Sequence, residues 1–276
     1  MVRATLPALS PAQREQFARE GYLVLRQFFT PKEVAEIREA FMALSADGPV
    51  PGLSETSRSY TPEDPLSRYP RMMHPHRHPE LPVGPLAMRY LLDARIEAAL
   101  WELFGEEPIA AQSMFYFKPP GARGQDLHQD NYYLRVKPGT CIAAWLAVDA
   151  ADEENGALVV VPGSNRLDIA CPERADPTLF FTGDHVAVPA GLHEITVNMD
   201  AGDMLFFNGS LIHGSYPNTS AERFRRAFIC HYIPGGSVEA SRWYRPLLRF
   251  NGEEVFIADA TGGGPCGRVE EATGPH

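Results

Sequence analysis

The 276-residue chain has no excess of basic residues: 25 Lys+Arg stand against 35 Asp+Glu, for a formal charge of -10. Binding a phosphate backbone needs a basic stripe, so no nucleic-acid partner is expected. No apolar run approaches the ~20 residues that span a bilayer, so no membrane segment is expected. The opening MVRATLPALSPAQREQF has no continuous apolar core of the secretory kind, which points to a cytoplasmic protein. The four cysteines, Cys141, Cys171, Cys230 and Cys266, are far apart and form no CxxC pair, so reduced, mostly buried thiols are expected. There is no internal repeat, and nothing in the pattern sets an oligomeric state.

Apolar residues make up 44% of the chain, enough for a folded core, and the 25 prolines and 23 glycines imply many turns between short elements. Ser10-Pro11 with Gln13, and Thr30-Pro31 with Glu33, each read as an N-cap, a first-turn proline and a capping-box partner. Val34, Ile37, Phe41 and Leu44 then recur at helical spacing. Tyr22–Leu25 reads as a short strand. Residues 46–83 show no period and are expected to form a long lid loop or a disordered one. A third helix is predicted over 85–104, capped by Gly105. From about residue 109 the texture becomes short strands, with Asn155-Gly156 as a hairpin signal between Cys141–Val148 and Ala157–Val161.

The expected organisation is a single unit over 1–258. It comprises a helical layer and lid loop (1–108), a β core (109–235) and a closing segment (236–258), followed by a mobile glycine-rich tail over 259–276. The fold class is mainly β with flanking helices.

Chemistry concentrates in two segments. In LHQDNYY, an extended backbone would send His128 and Asp130 to one face. His213 follows in FFNGSLIHGSYPN, just after an apolar strand. Two histidines and one carboxylate with open positions describe a non-haem Fe(II) oxygenase ligand set. Arg225, twelve residues after His213, is placed to anchor a distal carboxylate through a bidentate pair. Strand alternation sends Arg226 to the opposite face, while Arg223 is a reserve candidate. In MHPHRH, His74, His76 and His78 suggest either a metal cluster or a solvated loop face that contributes to the substrate mouth.

The runs MFYFKPPGARGQDLHQDNYY, CIAAWLAVDAADEENGALVVVPGSN, AGDMLFFNGSLIHGSYPN and FRRAFICHY resemble the phytanoyl-CoA dioxygenase family, with the likeness extending over about residues 15–235. The resemblance implies a double-stranded β-helix, or jelly roll, using Fe(II), 2-oxoglutarate as cosubstrate and O2. On the matching positions His128, Asp130 and His213 would be the metal and catalytic residues, and Arg225 and Ser215 would take the 5-carboxylate of 2-oxoglutarate. Trp145, Met114, Lys118 and Arg71 fall in or near further cosubstrate-contacting positions. For Lys118, bracing the loop before His128 is an equal reading. The carboxylate at Asp130, where chlorinating relatives carry a small residue, favours oxygen insertion.

The implied activity is hydroxylation of a small molecule with release of succinate and CO2. Desaturation, epimerisation or ring formation with the same cofactors is the alternative, and a non-catalytic cupin-like binding protein a more distant one. Tyr132, Tyr133, His74 and Arg77 are candidate substrate contacts. Arg58, Arg68, Arg71 and Arg77 in the long loop either meet an anionic substrate or simply keep that loop polar.

Overall fold

A computed structural model of the chain describes residues 9–55, 60–261 and 266. Most of the expected mobile tail lies outside these residues. The N-terminal part runs through α1 (Pro11–Glu20), β1 (Tyr22–Leu25), α2 (Pro31–Leu44), α3 (Pro65–Arg68), β2 (Met72–Met73), α4 (Val83–Leu91) and α5 (Ala94–Phe104). Next come β3 (Pro108–Tyr116), β4 (Gln125–His128), α6 (Asn131–Leu134), β5 (Ile142–Ala147) and β6 (Leu158–Val160). A small pair, β7 (Glu173–Arg174) and β8 (Asp184–His185), precedes β9 (Ile195–Thr196), β10 (Met204–Asn208), β11 (His213–Ser215) and β12 (Ala227–Pro234). The described chain ends with β13 (Glu239–Ala240), β14 (Leu247–Leu248), β15 (Glu254–Val255) and β16 (Ala258–Asp259).

Both predicted capping boxes form: Ser10 and Thr30 accept from the backbone N–H of Gln13 and Glu33, whose side chains accept from the cap residues in return. The predicted 85–104 helix is two helices. Asp93 interrupts it by turning extended and accepting from Arg95 N at 2.8 Å, which caps a new helix that ends at the left-handed Gly105 as expected. The 46–83 segment is not structureless. Its described part holds α3, β2 and a 3-10 turn at Pro75–Arg77, and β2 pairs with β3.

The strands form two sheets. The larger has the order β1-β10-β5-β12-β3-β14-β15, with β2 also on β3, and the smaller is β4-β11-β6-β9. This is the mainly β, antiparallel jelly-roll class with a helical layer on one side. Strand alternation separates the core in two. Leu146, Phe206 and Phe228 of the large sheet turn outward to meet Ile37 and Phe41 of α2 and Leu100 of α5, and Phe41 stacks on Phe115 at 4.1 Å between centroids. Trp145, Leu205, Phe207 and Ile229 turn inward to meet Leu158 and Val160 of the small sheet. Because both faces of the large sheet are covered, its strands read as continuous apolar runs rather than alternating ones.

Asn155-Gly156 does make a turn, with Gly156 at φ 76°, but it joins the two sheets instead of closing a hairpin. β5 is claimed on both sides by β10 and β12, and β6 by β11 and β9, so neither strand has an edge left for the other. The reduced-thiol expectation is corrected for one pair: Cys171 and Cys266 form a disulfide, whereas Cys141 and Cys230 are free and buried. The two bridged residues are 95 positions apart, so only the tertiary path of the chain brings them together.

Candidate active site

The small sheet sets the first relationship. β4 and β11 run antiparallel with His128 and His213 directly opposite, and their rings lie 4.3 Å apart. His128 Nδ1 is 2.7 Å from the carbonyl of Asp126, and His213 Nδ1 is 3.0 Å from that of Leu211. A carbonyl only accepts, so both Nδ1 atoms donate, which leaves Nε2 as the nitrogen each ring turns to the interior.

Asp130 joins them by a route that differs from the one expected. The backbone at Asp130 is helical, φ -58° and ψ -36°, because the chain leaves β4 and turns straight into α6. The turn, not strand alternation, brings its carboxylate back. Oδ1 lies 3.5 Å from His128 Nε2 and 3.6 Å from His213 Nε2, and the three donor atoms fall within 4.8 Å of one another in buried side chains. Two imidazole Nε2 atoms and one carboxylate oxygen suit a ferrous ion that keeps open positions.

His231 on β12 has a place here that the sequence reading left without a role. Its Nε2 is 2.9 Å from Asp130 Oδ2, and its Nδ1 is 3.4 Å from Gln112 Nε2. The carboxylate is thus clamped on one oxygen with the other turned toward the histidines. The available signal was the even spacing from Arg225 to His231, which puts both on one face of an extended chain.

Ser215 ends β11, two residues beyond His213. Its hydroxyl accepts from Lys118 Nζ at 2.8 Å and from Arg225 Nη2 at 3.3 Å. The carbonyl of Gly156 accepts from the same two cations, at 3.1 Å from Lys118 Nζ and 2.9 Å from Arg225 Nε. The Arg225 guanidinium lies over Trp145, 5.5 Å from the ring. Both cations are buried, and among the described residues neither pairs with a carboxylate. Burial, and then the neighbouring Arg225, hold the Lys118 amine well below its ordinary range, while burial brings Arg225 down to about 10. A buried guanidinium beside a buried amine favours a bound anion, which would offset the burial that lowers both. The other two arginines are committed elsewhere, Arg223 to exposed pairs with Asp152 and Glu154 and Arg226 to Asp149.

The triad, Met114, Trp145, Lys118 and Arg225 line one pocket of about 680 Å3, counting the solvent at its mouth. Phe117, Phe181, Tyr69 and Arg123 continue the wall. Arg71 is on this wall, but its charge is already met by Glu55 at 2.6 and 3.0 Å, and it donates to Tyr116 Oη. Tyr132 and Tyr133 do not line this pocket. They sit on the helical turn α6, where strand alternation does not apply; Tyr133 donates to Asp184, and Tyr132 Oη is 3.8 Å from Cys266 Sγ. His74 and Arg77 also lie off the pocket wall, His74 just before the 3-10 turn that follows β2 and Arg77 at its end. Among the described residues no helix is long and apolar enough to cross a membrane.

A family model described as phytanoyl-CoA dioxygenase matches residues 17–227. The chain is 24% identical over 260 residues to "Phytanoyl-CoA dioxygenase" of Arabidopsis thaliana, covering 82% of this chain and 89% of the relative. It superposes on the epimerase SnoN from nogalamycin biosynthesis, solved with Fe3+, alpha ketoglutarate and nogalamycin RO, with a TM-score of 0.63. That match has 20% identity and covers 85% of each chain. The carbocyclase SnoK from nogalamycin biosynthesis gives a TM-score of 0.63 at 19% identity, over 86% of this chain and 87% of the other.

Proposed function

The chain belongs to the phytanoyl-CoA dioxygenase family, and from that premise we propose that it is an Fe(II)- and 2-oxoglutarate-dependent dioxygenase that hydroxylates a small organic molecule. His128, Asp130 and His213 hold the iron in this reading. Arg225, Lys118 and Ser215 receive the far carboxylate of 2-oxoglutarate, with Trp145 and Met114 forming the wall beside it. When bound, iron, 2-oxoglutarate and O2 together supply an oxidation that ends in succinate, CO2 and a hydroxylated carbon.

The chain's own residues provide placement. The Asp126 and Leu211 carbonyls fix the histidine tautomers, and His231 fixes the carboxylate rotamer, so the donor set is pre-oriented. Lys118 and Arg225 give the diacid a charged end-point, which sets the distance from that end to the triad. The apolar inner face around Leu158, Phe207 and Ile229 keeps water away from the reacting carbon. The observation that carries the reading is a single pocket holding both a His-Asp-His cluster and two buried cations that no described carboxylate neutralises.

A second outcome, epimerisation or ring closure with the same cofactors, is favoured by the likeness to SnoN and SnoK. The two outcomes differ in where the substrate carbon stands, which product analysis separates. The test is substrate-triggered O2 consumption coupled to succinate formation over pools of candidate small molecules. Mass spectrometry of the product should show a gain of one oxygen for hydroxylation and no mass change for epimerisation. Absence of 2-oxoglutarate turnover with iron present, over all pools, would count against both.

A further inference from the structure

The turn that follows β2 does something the pocket described so far does not use. β3 has β12 along one edge, while two short strands share the other: β2 meets it at Met114 and Phe115, and β14 meets it at Ala110. The intervening edge, at Ser113, is filled by the 3-10 turn Pro75–Arg77 and His74 before it. His74 N donates to Ser113 O at 2.8 Å, and His76 N to Ser113 Oγ at 3.4 Å. His74 has a positive φ of 53°, a conformation with a cost for a side-chain-bearing residue. α4 presses on the turn from outside so closely that a Cβ on Gly84 would lie 1.9 Å from His78 O. The conformation is therefore imposed by its surroundings.

Held this way, the turn gathers polar atoms that the protein leaves unpaired. His74 Nδ1, His76 Nε2 and the Nε and Nη2 of Arg77 are buried and have no hydrogen-bond partner among the described residues. The two rings lie 5.8 Å apart, and Arg77 is the foremost charge acting on both. Ser113 Oγ, already accepting from His76 N, lies 2.7 Å from His76 Nδ1. Where Ser113 gives its own hydrogen to Nδ1, His76 Nε2 is the protonated, donating nitrogen. His78, in contrast, points out to Glu80 at 3.0 Å and takes no part.

The result is a fork of guanidinium N–H groups beside an imidazole nitrogen, with one formal positive charge and, among the described residues, no carboxylate against it. Burying such a cation without a partner is costly, and an incoming oxyanion matches both its charge and its geometry. The position supplies the rest. His74 is within electrostatic reach of His231, which lines the pocket and touches Asp130, while Arg77 remains partly exposed. Arg225, two residues before β12, and His231 within it are six residues apart, at most about 20 Å of extended chain. The cosubstrate cations thus stand at the start of β12, and this cluster lies against the far edge of β3, the strand that pairs with β12.

We propose that His74, His76 and Arg77 form an oxyanion site that receives the carboxylate or phosphate group of the organic substrate. The identity of the anion as the substrate's own rests on the oxygenase reading above, but the binding itself does not: it needs neither iron nor 2-oxoglutarate.

The test uses inorganic phosphate as the probe on the full-length, metal-free chain, with binding read by thermal shift and calorimetry. An Arg225→Gln background weakens the competing cosubstrate site, and comparison with added Arg77→Gln isolates the contribution of this cluster. Phosphate should raise the melting temperature of Arg225→Gln saturably, and Arg77→Gln added to it should weaken the apparent affinity at least tenfold. His76→Asn, which keeps the cation but loses the Nε2 donor, should weaken it by a smaller factor and shows separately whether the loss is merely one of folding. No saturable effect in Arg225→Gln, or an equal effect after Arg77→Gln, would overturn the site.

A second arm assigns the source. Compounds that trigger O2 consumption should do so in their acid or phosphoester form and lose the effect as the amide or free alcohol, with phosphate inhibiting competitively. Neutral compounds that are active only when phosphate is added would show a free anion as the ligand and overturn the substrate assignment.

Discussion

His231 Nε2 lies 2.9 Å from Asp130 Oδ2, and both side chains are buried to about 1% exposure. This contact joins the large sheet to the helical turn after β4. It decides which way the carboxylate faces: one oxygen goes to His231, the other to the two histidines of the small sheet. A partner of this sort fixes the orientation of a ligand it does not replace.

His231→Leu should therefore weaken Fe(II) binding by about 10- to 100-fold, the range for losing an outer partner of a metal ligand. His231→Gln, which keeps an N–H donor, should recover part of it. Anaerobic equilibrium dialysis against Fe(II) measures this directly. Unchanged affinity in His231→Leu would mean that Asp130 holds its rotamer unaided.

Arg225 and Lys118 act on one group in this account, and their losses should not add. Arg225→Ala leaves a buried carboxylate without its partner, at about 3–5 kcal/mol. At about 1.4 kcal/mol per tenfold, the 2-oxoglutarate requirement should rise by roughly two to three and a half orders of magnitude. Lys118→Met alone should raise it by roughly tenfold to a hundredfold, and the double variant should fall short of the product of the two. A Lys118→Met enzyme with an unaltered KM for 2-oxoglutarate would assign the lysine to bracing its loop instead.

Gly156 is where local backbone and function meet. It sits at φ 76°, and a Cβ there would lie 2.6 Å from Tyr216 O and 2.8 Å from Lys118 Nζ. Gly156→Ala should lower the melting temperature and, by moving Lys118, raise the 2-oxoglutarate requirement as well. A variant that is less stable but kinetically normal would separate the turn from the cation pair.

The turn after β2 predicts a pH effect on stability. Burial, and then the charge of Arg77, bring His74 down to about 2 and His76 to about 3, with His78 and His231 adding to the same direction at His74. In the unfolded chain both protonate near pH 6.5, so below that pH the unfolded state binds more protons than the folded one. Stability should be full above about pH 6.5 and fall steadily as the pH drops toward the folded values. Replacing both histidines with asparagine should flatten the slope of melting temperature between pH 6.5 and 4.5, and an unchanged slope would place acid sensitivity elsewhere.

Much of this was legible in the chain itself. Ser10 and Thr30 announced their helices because capping is local chemistry, settled within four residues. His128, Asp130 and His213 were legible as residue types in a metal-ligand pattern, although the extended backbone assumed for Asp130 proved to be a helical turn. Contacts that depend on strand register were not. The partnership of His231 with Asp130 spans 101 residues, and the pairing of Lys118 with Ser215 spans 97. The Cys171–Cys266 disulfide spans 95. Asn155-Gly156 looked like a hairpin because a turn signal fixes the local bend without saying which edges its flanking strands find. The His74–Arg77 run looked like a solvated loop because alternate polar residues give no sign of the burial that β3 and α4 impose.

The most direct test of the central claim is anaerobic binding of 2-oxoglutarate with and without Fe(II), compared between the unaltered chain and His213→Ala. The account predicts 2-oxoglutarate binding that tightens at least tenfold when Fe(II) is present in the unaltered chain, and no tightening by Fe(II) in His213→Ala while the iron-independent binding through Arg225 and Lys118 persists. Binding indifferent to Fe(II), or an Fe(II) effect that survives in His213→Ala, would contradict it.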